Sequence, residues 1–107
     1  PEGIEEALVM LHRYEKPLFV AESGIADHRD IHRGAYITEQ VRGVWRALQR
    51  GVDVRGHFYW SLLDNYEWAL GFEKRFGLVE VDYTTLERTI RQSANVYKKI
   101  CEENAVE

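Results

Sequence analysis

The sequence has little cysteine, no long apolar run and no excess of basic residues. Its single cysteine, Cys101, has no partner for an internal disulfide or a thiolate metal cluster, and it favours a reducing compartment. No run approaches the roughly 18 apolar residues that span a bilayer. The 14 Lys and Arg against 18 Asp and Glu give a net charge of −4 without a basic block. These absences argue against a membrane protein and against a nucleic-acid partner.

The chain begins at Pro1, without a methionine, inside a helical pattern. This beginning has neither the basic start nor the apolar middle of a signal peptide, so we expect a cytoplasmic protein. The length of 107 residues, with 45% hydrophobic and 30% charged residues, is ordinary for one globular domain. Because of its beginning, we also expect the chain to be a piece of a longer protein.

Two strand patterns alternate with three helical patterns. Apolar spacing predicts helices over about 3–14 and 34–50, and a last helix that Ser93 caps. Short apolar runs predict strands over 17–21 and 52–60, with a long irregular segment after the second. Strands that alternate with helices pair in parallel, so the pattern predicts an α/β fold. Its ligand site should lie beyond the carboxyl ends of the strands.

The first predicted strand ends on Glu22. A buried carboxylate without a partner costs several kcal/mol, so its presence there needs a reason. One interpretation is a catalytic carboxylate at the strand end. The other is a solvated loop residue or the partner of a structural arginine, and position alone leaves both open.

The segment after the second strand, YWSLLDNYEWALGFEKRFG at 59–77, is dense in aromatic and charged residues. Aromatic faces can cover the apolar side of a sugar ring, and carboxylates and amides can bond to its hydroxyls. The segment fits a sugar site, although the same aromatics also fit a packed cluster beneath a long loop. The sugar interpretation uses Trp60, Asp64, Asn65, Tyr66, Glu67, Trp68 and Phe76.

Four histidines suggest a metal hypothesis. His28 and His32 lie four residues apart and flank acidic residues, as ligands of a divalent metal could. They precede the predicted helix rather than lying in it, and no HExxH pattern occurs. Surface or loop-capping roles fit these histidines better, so we predict no metal site.

Two blocks carry a family resemblance: PLFVAESGIAD at 17–27 and YWSLLDNYEWALGFEKRFGLVEVDY at 59–83. Together they resemble the C-terminal part of glycoside hydrolase family 1, the β-glucosidase and β-galactosidase family, and most of all its archaeal-type members. The resemblance runs through nearly the whole chain. It implies that residues 1–107 are the seventh and eighth strands, with their helices, of one (β/α)₈ TIM-barrel catalytic domain. Such a segment is incomplete by itself.

The resemblance implies a catalytic role for Glu22. This residue matches the nucleophile of the family's TENG motif, which here reads AESG with Ala21 and Ser23 as departures. The implied reaction hydrolyses β-glycosides through a covalent glycosyl-enzyme, with retention of configuration.

The resemblance also implies a sugar site for the nonreducing end. Trp60 matches the platform for the sugar, Glu67 and Trp68 match the pair that binds its outer hydroxyls, and Phe76 matches an aromatic at the wall. Members that act on 6-phosphorylated sugars would carry Ser in place of Glu67 and Tyr in place of Phe76. The expected substrate is therefore an unphosphorylated carbohydrate.

A retaining mechanism needs a second carboxyl about 5 Å from the first. The family supplies it from an NEP motif, which does not occur here. We therefore expect the chain alone to be nearly inactive and to need the remainder of the barrel or another copy of itself. The alternative is a noncatalytic fragment that acts as a sugar-binding or assembly module. The family implies no metal or organic cofactor.

Overall fold

A computed structural model describes residues 3–106 of the chain, so Pro1 lies outside the description. Short 3₁₀ turns cover His12–Tyr14 and Trp68–Leu70. None of the helices in this range is long and apolar enough to cross a membrane. The described helices and strands are α1 (Gly3–Leu11), β1 (Leu18–Ser23), α2 (Arg33–Gln49), β2 (Val54–Tyr59), β3 (Val79–Val81), β4 (Arg88–Ile90) and α3 (Gln92–Glu103).

β1 and β2 form a parallel pair that α2 connects. Leu18 pairs with Val54 at one end of the ladder, and Ser23 pairs with Tyr59 at the other. Both strands therefore end at the same edge of the sheet. The parallel pairing confirms the prediction made from the alternation of strands and helices.

One face of this sheet is covered by helices and the other is open. Leu18 and Val20 of β1 pack against a buried cluster formed by Leu8, Val44, Ala47 and Val52. On the opposite face, Phe19 is 56% exposed and Phe58 is 58% exposed. Parallel sheets are normally covered on both faces, so residues 3–106 leave an apolar face without a cover of their own.

The segment after β2 contains structure that the sequence pattern did not predict. β3 pairs antiparallel with β4, with Val79 opposite Ile90 and Val81 opposite Arg88. Strands of three residues are too short for a period-two pattern to stand out in a sequence. The hairpin was therefore hidden in what looked like a continuous irregular segment.

The cap of α3 differs from the prediction. Ser93 lies inside the helix, and the N-cap residue Arg91 makes no capping bond with its side chain. Instead, the carboxylate of Asp30 accepts the Ser93 N–H at 2.9 Å and the Ser93 hydroxyl at 2.6 Å. A carboxylate from the loop after β1 thus satisfies the helix terminus, which local sequence cannot show.

Candidate active site

The carboxyl ends of β1 and β2 bring two candidate residues onto neighbouring positions. The Trp60 N–H donates to the Ser23 carbonyl at 2.9 Å, which extends the parallel ladder past β2. Glu22 is exposed at the end of β1, and Trp60 is 39% exposed. A carboxylate and an indole therefore share one open edge of the sheet.

Gly24 lets the chain turn tightly against Trp60. A Cβ atom at Gly24 would lie 2.0 Å from the Trp60 carbonyl oxygen and 3.0 Å from the carbonyl carbon. The Trp60–Ser61 peptide bond that follows is cis. The residue at position 24 must therefore lack a side chain if the Glu22 strand is to rest on the backbone of Trp60.

We expect Gly24→Ala to destabilise the protein by about 1–3 kcal/mol, since the new methyl group must displace backbone atoms. Gly34→Ala is the matched control because a Cβ there would meet only the Val96 Cγ2, at 3.5 Å. In α2 that change should be neutral or stabilising by up to about 1 kcal/mol. Urea denaturation gives the free energy of unfolding of the wild type, Gly24→Ala and Gly34→Ala. Equal values for the two variants would contradict the expectation.

Ser23, the departure from the family motif next to Glu22, bonds to a helix. Its hydroxyl lies 3.1 Å from the Tyr36 hydroxyl and donates to Gln40 Oε1 at 3.2 Å. Both partners belong to α2. The hydroxyl thus anchors the end of β1 to the helix behind it, and the Ser23 carbonyl anchors it to Trp60 after β2.

A tight turn displays Trp68. The Glu67 N–H donates to the Gly71 carbonyl at 2.7 Å, and the Gly71 N–H donates to the Trp68 carbonyl at 3.0 Å. Trp68 is 82% exposed and Glu67 is partly exposed. Phe76 lies further along, partly buried, and its carbonyl accepts the Ser61 N–H at 3.2 Å.

Other aromatic residues of this segment pack against one another. The Tyr66 and Phe72 rings meet edge to face with centroids 5.2 Å apart, and the Phe72 and Tyr83 centroids are 4.5 Å apart. The Arg75 guanidinium stacks 4.1 Å over the Tyr83 ring. These rings contact one another, but Tyr66 is 60% exposed and Phe72 is 52% exposed, so they are as open to solvent as Trp60 and the structure leaves both interpretations of the aromatic residues standing.

Asp64 is a structural carboxylate and not a displayed one. Its side chain is fully buried, and it accepts Arg91 Nη1 at 2.9 Å and Nη2 at 3.0 Å. Arg75 lies 3.2 Å away, and the N–H groups of Gly77 and Val81 donate at 2.9 and 3.3 Å. Burial opposes ionisation, but these donors outweigh it and hold the pKa of Asp64 below its usual value. The suggested sugar contact of Asp64 was therefore wrong.

Asn65, another residue of the sugar interpretation, makes hydrogen bonds within its own segment. Its amide nitrogen donates to the Ser61 hydroxyl at 2.9 Å and to the Leu63 carbonyl at 3.0 Å. Sequence reasoning missed the support that Asn65 and Asp64 give to this segment. The partners of Asp64 include Arg91, which lies far along the chain and carries no motif that would have pointed to it.

The histidine-rich loop supports a helix. The Asp27 carboxylate accepts the N–H groups of His32 and Arg33 at 2.7 and 3.0 Å, which caps α2. Partial burial opposes ionisation of Asp27, but these two bonds and the Arg33 charge hold its pKa below the usual value. Among residues 3–106, no three His, Cys, Asp or Glu residues are grouped so that they could hold a metal ion.

The model of one protein family, glycosyl hydrolase family 1, matches residues 1–106. The chain belongs to glycosyl hydrolase family 1. This confirms the resemblance of the two sequence blocks. It also identifies the parallel pair β1–β2 and its helices as part of a (β/α)₈ barrel.

Similar proteins of family 1 are several times longer than this chain. A β-galactosidase of Sulfolobus acidocaldarius is 49% identical over 107 residues, which are 99% of this chain and 22% of that protein. A β-glycosidase structure from Pyrococcus horikoshii superposes with a TM-score of 0.96 at 48% identity. The match covers all of this chain and 25% of the Pyrococcus horikoshii chain. A β-glycosidase structure from Thermosphaera aggregans gives a TM-score of 0.97 at 45% identity, with all of this chain and 22% of that one covered. The family 1 chain thus spans about a quarter of the length of these relatives.

Proposed function

We propose that this family 1 chain carries the nucleophile and part of the sugar site of a retaining β-glycosidase. The observation that carries the proposal is the position of the exposed Glu22 carboxylate at the end of β1, beside Trp60 at the end of β2. Ligand sites of (β/α)₈ barrels lie at this end of the strands. Similar proteins named β-galactosidase and β-glucosidase support the reaction class.

In the proposed reaction, Glu22 attacks the anomeric carbon while a second carboxylic acid protonates the departing glycosidic oxygen. The covalent glycosyl-enzyme is then attacked by a water molecule, which the second carboxylate deprotonates. Two inversions at the same carbon give net retention. The second carboxyl group comes from polypeptide outside this chain, because the family's NEP motif does not occur in it.

The proposed sugar site lies along the exposed residues after β2. Trp60 would provide a flat platform, and the turn at 67–71 would offer Glu67 and Trp68 to the outer hydroxyls of the nonreducing sugar. Phe76 would close one wall. A carboxylate at Glu67 repels a phosphate group, which favours unphosphorylated glycosides.

The proposal includes further polypeptide that completes the barrel. The open face with Phe19 and Phe58 is the face that the remaining strands would cover. Relatives about four times as long contain enough further residues to supply those strands. We refer below to the protein that contains this chain and its missing strands as the full-length protein.

The test is an intact-mass measurement after incubation with an activated 2-deoxy-2-fluoro-β-glycoside. The fluorine slows the second step, so a retaining enzyme accumulates its covalent intermediate. We expect a fluoroglycosyl adduct on Glu22 in the full-length protein and none on the 107-residue chain. An adduct on another residue, or hydrolysis with inversion, would overturn the assignment. Sugar binding without adduct or turnover would favour the noncatalytic module.

A further inference from the structure

Arg33 is a fully buried cation at the first turn of α2. A guanidinium presents five N–H groups in a fixed fork, and each needs an acceptor once water is excluded. Sequence reasoning gave this arginine no role. Its burial next to the open edge of the sheet therefore requires an account.

The acceptors of Arg33 lie on three separate segments. Its Nε donates to the Tyr59 hydroxyl at 3.0 Å, at the end of β2. One terminal nitrogen pairs with Asp30, and the other donates to the Asp27 carbonyl, both in the loop after β1. That second nitrogen also donates to the Arg75 carbonyl at 2.9 Å, in the segment that bears the proposed sugar site.

The Arg75 carbonyl joins the segment of the proposed sugar site to the loop after β1. It accepts the Asp27 N–H at 3.0 Å in addition to Arg33. Phe76, the next residue, is the proposed wall of the sugar site. Whatever fixes this carbonyl therefore fixes Phe76 relative to the loop that follows the nucleophile strand.

The Glu22 end of β1 meets the Arg33 network at Tyr59, which pairs with Ser23, but it also has supports of its own. The Ser23 carbonyl accepts the Trp60 N–H, and the Ser23 hydroxyl bonds to Tyr36 and Gln40 of α2. A change at Arg33 should therefore disturb the sugar-binding segment more than the nucleophile. A disturbed sugar-binding segment would appear in the dissociation constant and KM, whereas a disturbed nucleophile would appear in kcat.

We propose that Arg33 is a positioning residue that sets the nonreducing-end sugar site against the nucleophile strand through the Tyr59 hydroxyl and the Arg75 carbonyl. This role rests on the proposed glycosidase function. Arg33 itself is buried and does not reach the substrate. Its effect is on the placement of Phe76 and its neighbours.

The test uses Arg33→Lys in the full-length protein. Lysine keeps the charge but cannot reach acceptors on three segments at once. We expect the dissociation constant of a thio-linked β-glycoside, which is not hydrolysed, to rise about tenfold, and KM for an aryl β-glycoside to rise with it. The turnover number kcat should change by less than about twofold. Arg46→Lys, which alters an ion pair with Glu5 between α1 and α2, is the matched control and should change none of these constants.

Each outcome decides the question. A raised dissociation constant in Arg33→Lys alone supports the positioning role, even if the fluoroglycoside shows a different nucleophile. An unchanged dissociation constant, or a lower kcat with unchanged binding, overturns it. A wild-type protein that binds no thioglycoside overturns both this role and the proposed function.

A milder substitution covers the case in which Arg33→Lys does not fold. Tyr59→Phe removes one acceptor of Arg33 and keeps the ring, and we expect the same dissociation constant to rise about threefold. Tyr97→Phe is its control, because the Tyr97 hydroxyl donates to the His57 carbonyl at 2.8 Å, whereas it is the Tyr59 hydroxyl that accepts from Arg33. Equal effects of the two phenylalanine variants would overturn the role.

Discussion

Glu22→Gly in the full-length protein should lower kcat for an aryl β-glycoside by about 10⁴-fold or more. The substitution removes the group that forms the covalent intermediate, and binding contacts alone supply only a small part of catalysis. Steady-state kinetics measures the loss. Glu73→Gln is the control, since Glu73 is also an exposed carboxylate, in the segment after β2, but has no part in the proposed reaction. Its kcat should stay within about twofold of the wild-type value.

Azide provides a second measurement on Glu22→Gly. The missing side chain leaves space on one face of the anomeric carbon, where the small anion can attack an activated β-glycoside. The product should be the α-glycosyl azide, because a single displacement inverts the carbon. Near wild-type turnover of the variant, or rescue that yields only the β-azide, would show that Glu22 is not the nucleophile.

Asp64→Asn should destabilise the protein by about 3–5 kcal/mol. The change removes the negative charge that faces the buried Arg91 and leaves it only the half-exposed Glu80, 3.8 Å away; a buried charge that loses its close partner is strongly destabilising. Urea denaturation of the full-length protein measures the loss. Asp53→Asn is the control, because Asp53 pairs with Arg55 at the surface and its loss should have no measurable effect.

The effect of Asp64 should depend on pH in one direction. Its pKa in the folded protein is below the ordinary value, so its stabilisation is complete above the unfolded pKa of about 3.9. The stabilisation is lost as the pH falls through the folded value. The difference between wild type and Asp64→Asn should therefore be constant near neutral pH and shrink below about pH 4. A difference that grows in acid would contradict this account.

Local pattern was sufficient for the central part of the fold. The apolar run from Leu18 and the spacing of Ile37, Val44 and their neighbours predicted β1, α2 and the parallel pairing. That pairing is also why Glu22 and the residues after β2 could be expected at one edge. The predicted ends of the elements differ from the observed ones by a few residues. The helix predicted over 3–14 ends at Leu11 and continues as a 3₁₀ turn, and β2 begins at Val54.

The rest depends on pairs of residues that are distant in sequence. Asp30 caps Ser93, Asp64 pairs with Arg91, and Arg33 reaches the Arg75 carbonyl. A single sequence does not show which residues pair in this way, since nothing local marks the distant partner. The roles of Glu67, Trp68 and Phe76 came from the family resemblance, and periodicity could not have provided them.

The segment after β2 has a buried part, fixed by Asp64, and an exposed turn at 67–71 that carries Trp68. The turn keeps its shape through backbone bonds between Glu67 and Gly71, so the side chain at position 68 matters little for folding, provided that the residue tolerates the positive φ of 44° found there, as β-branched residues and proline do not. Substitutions in the exposed turn can therefore accumulate without loss of the buried structure around Asp64. A library randomised at 68–70 should yield mostly folded proteins, and substrate preference in such a family could diverge quickly on an unchanged scaffold.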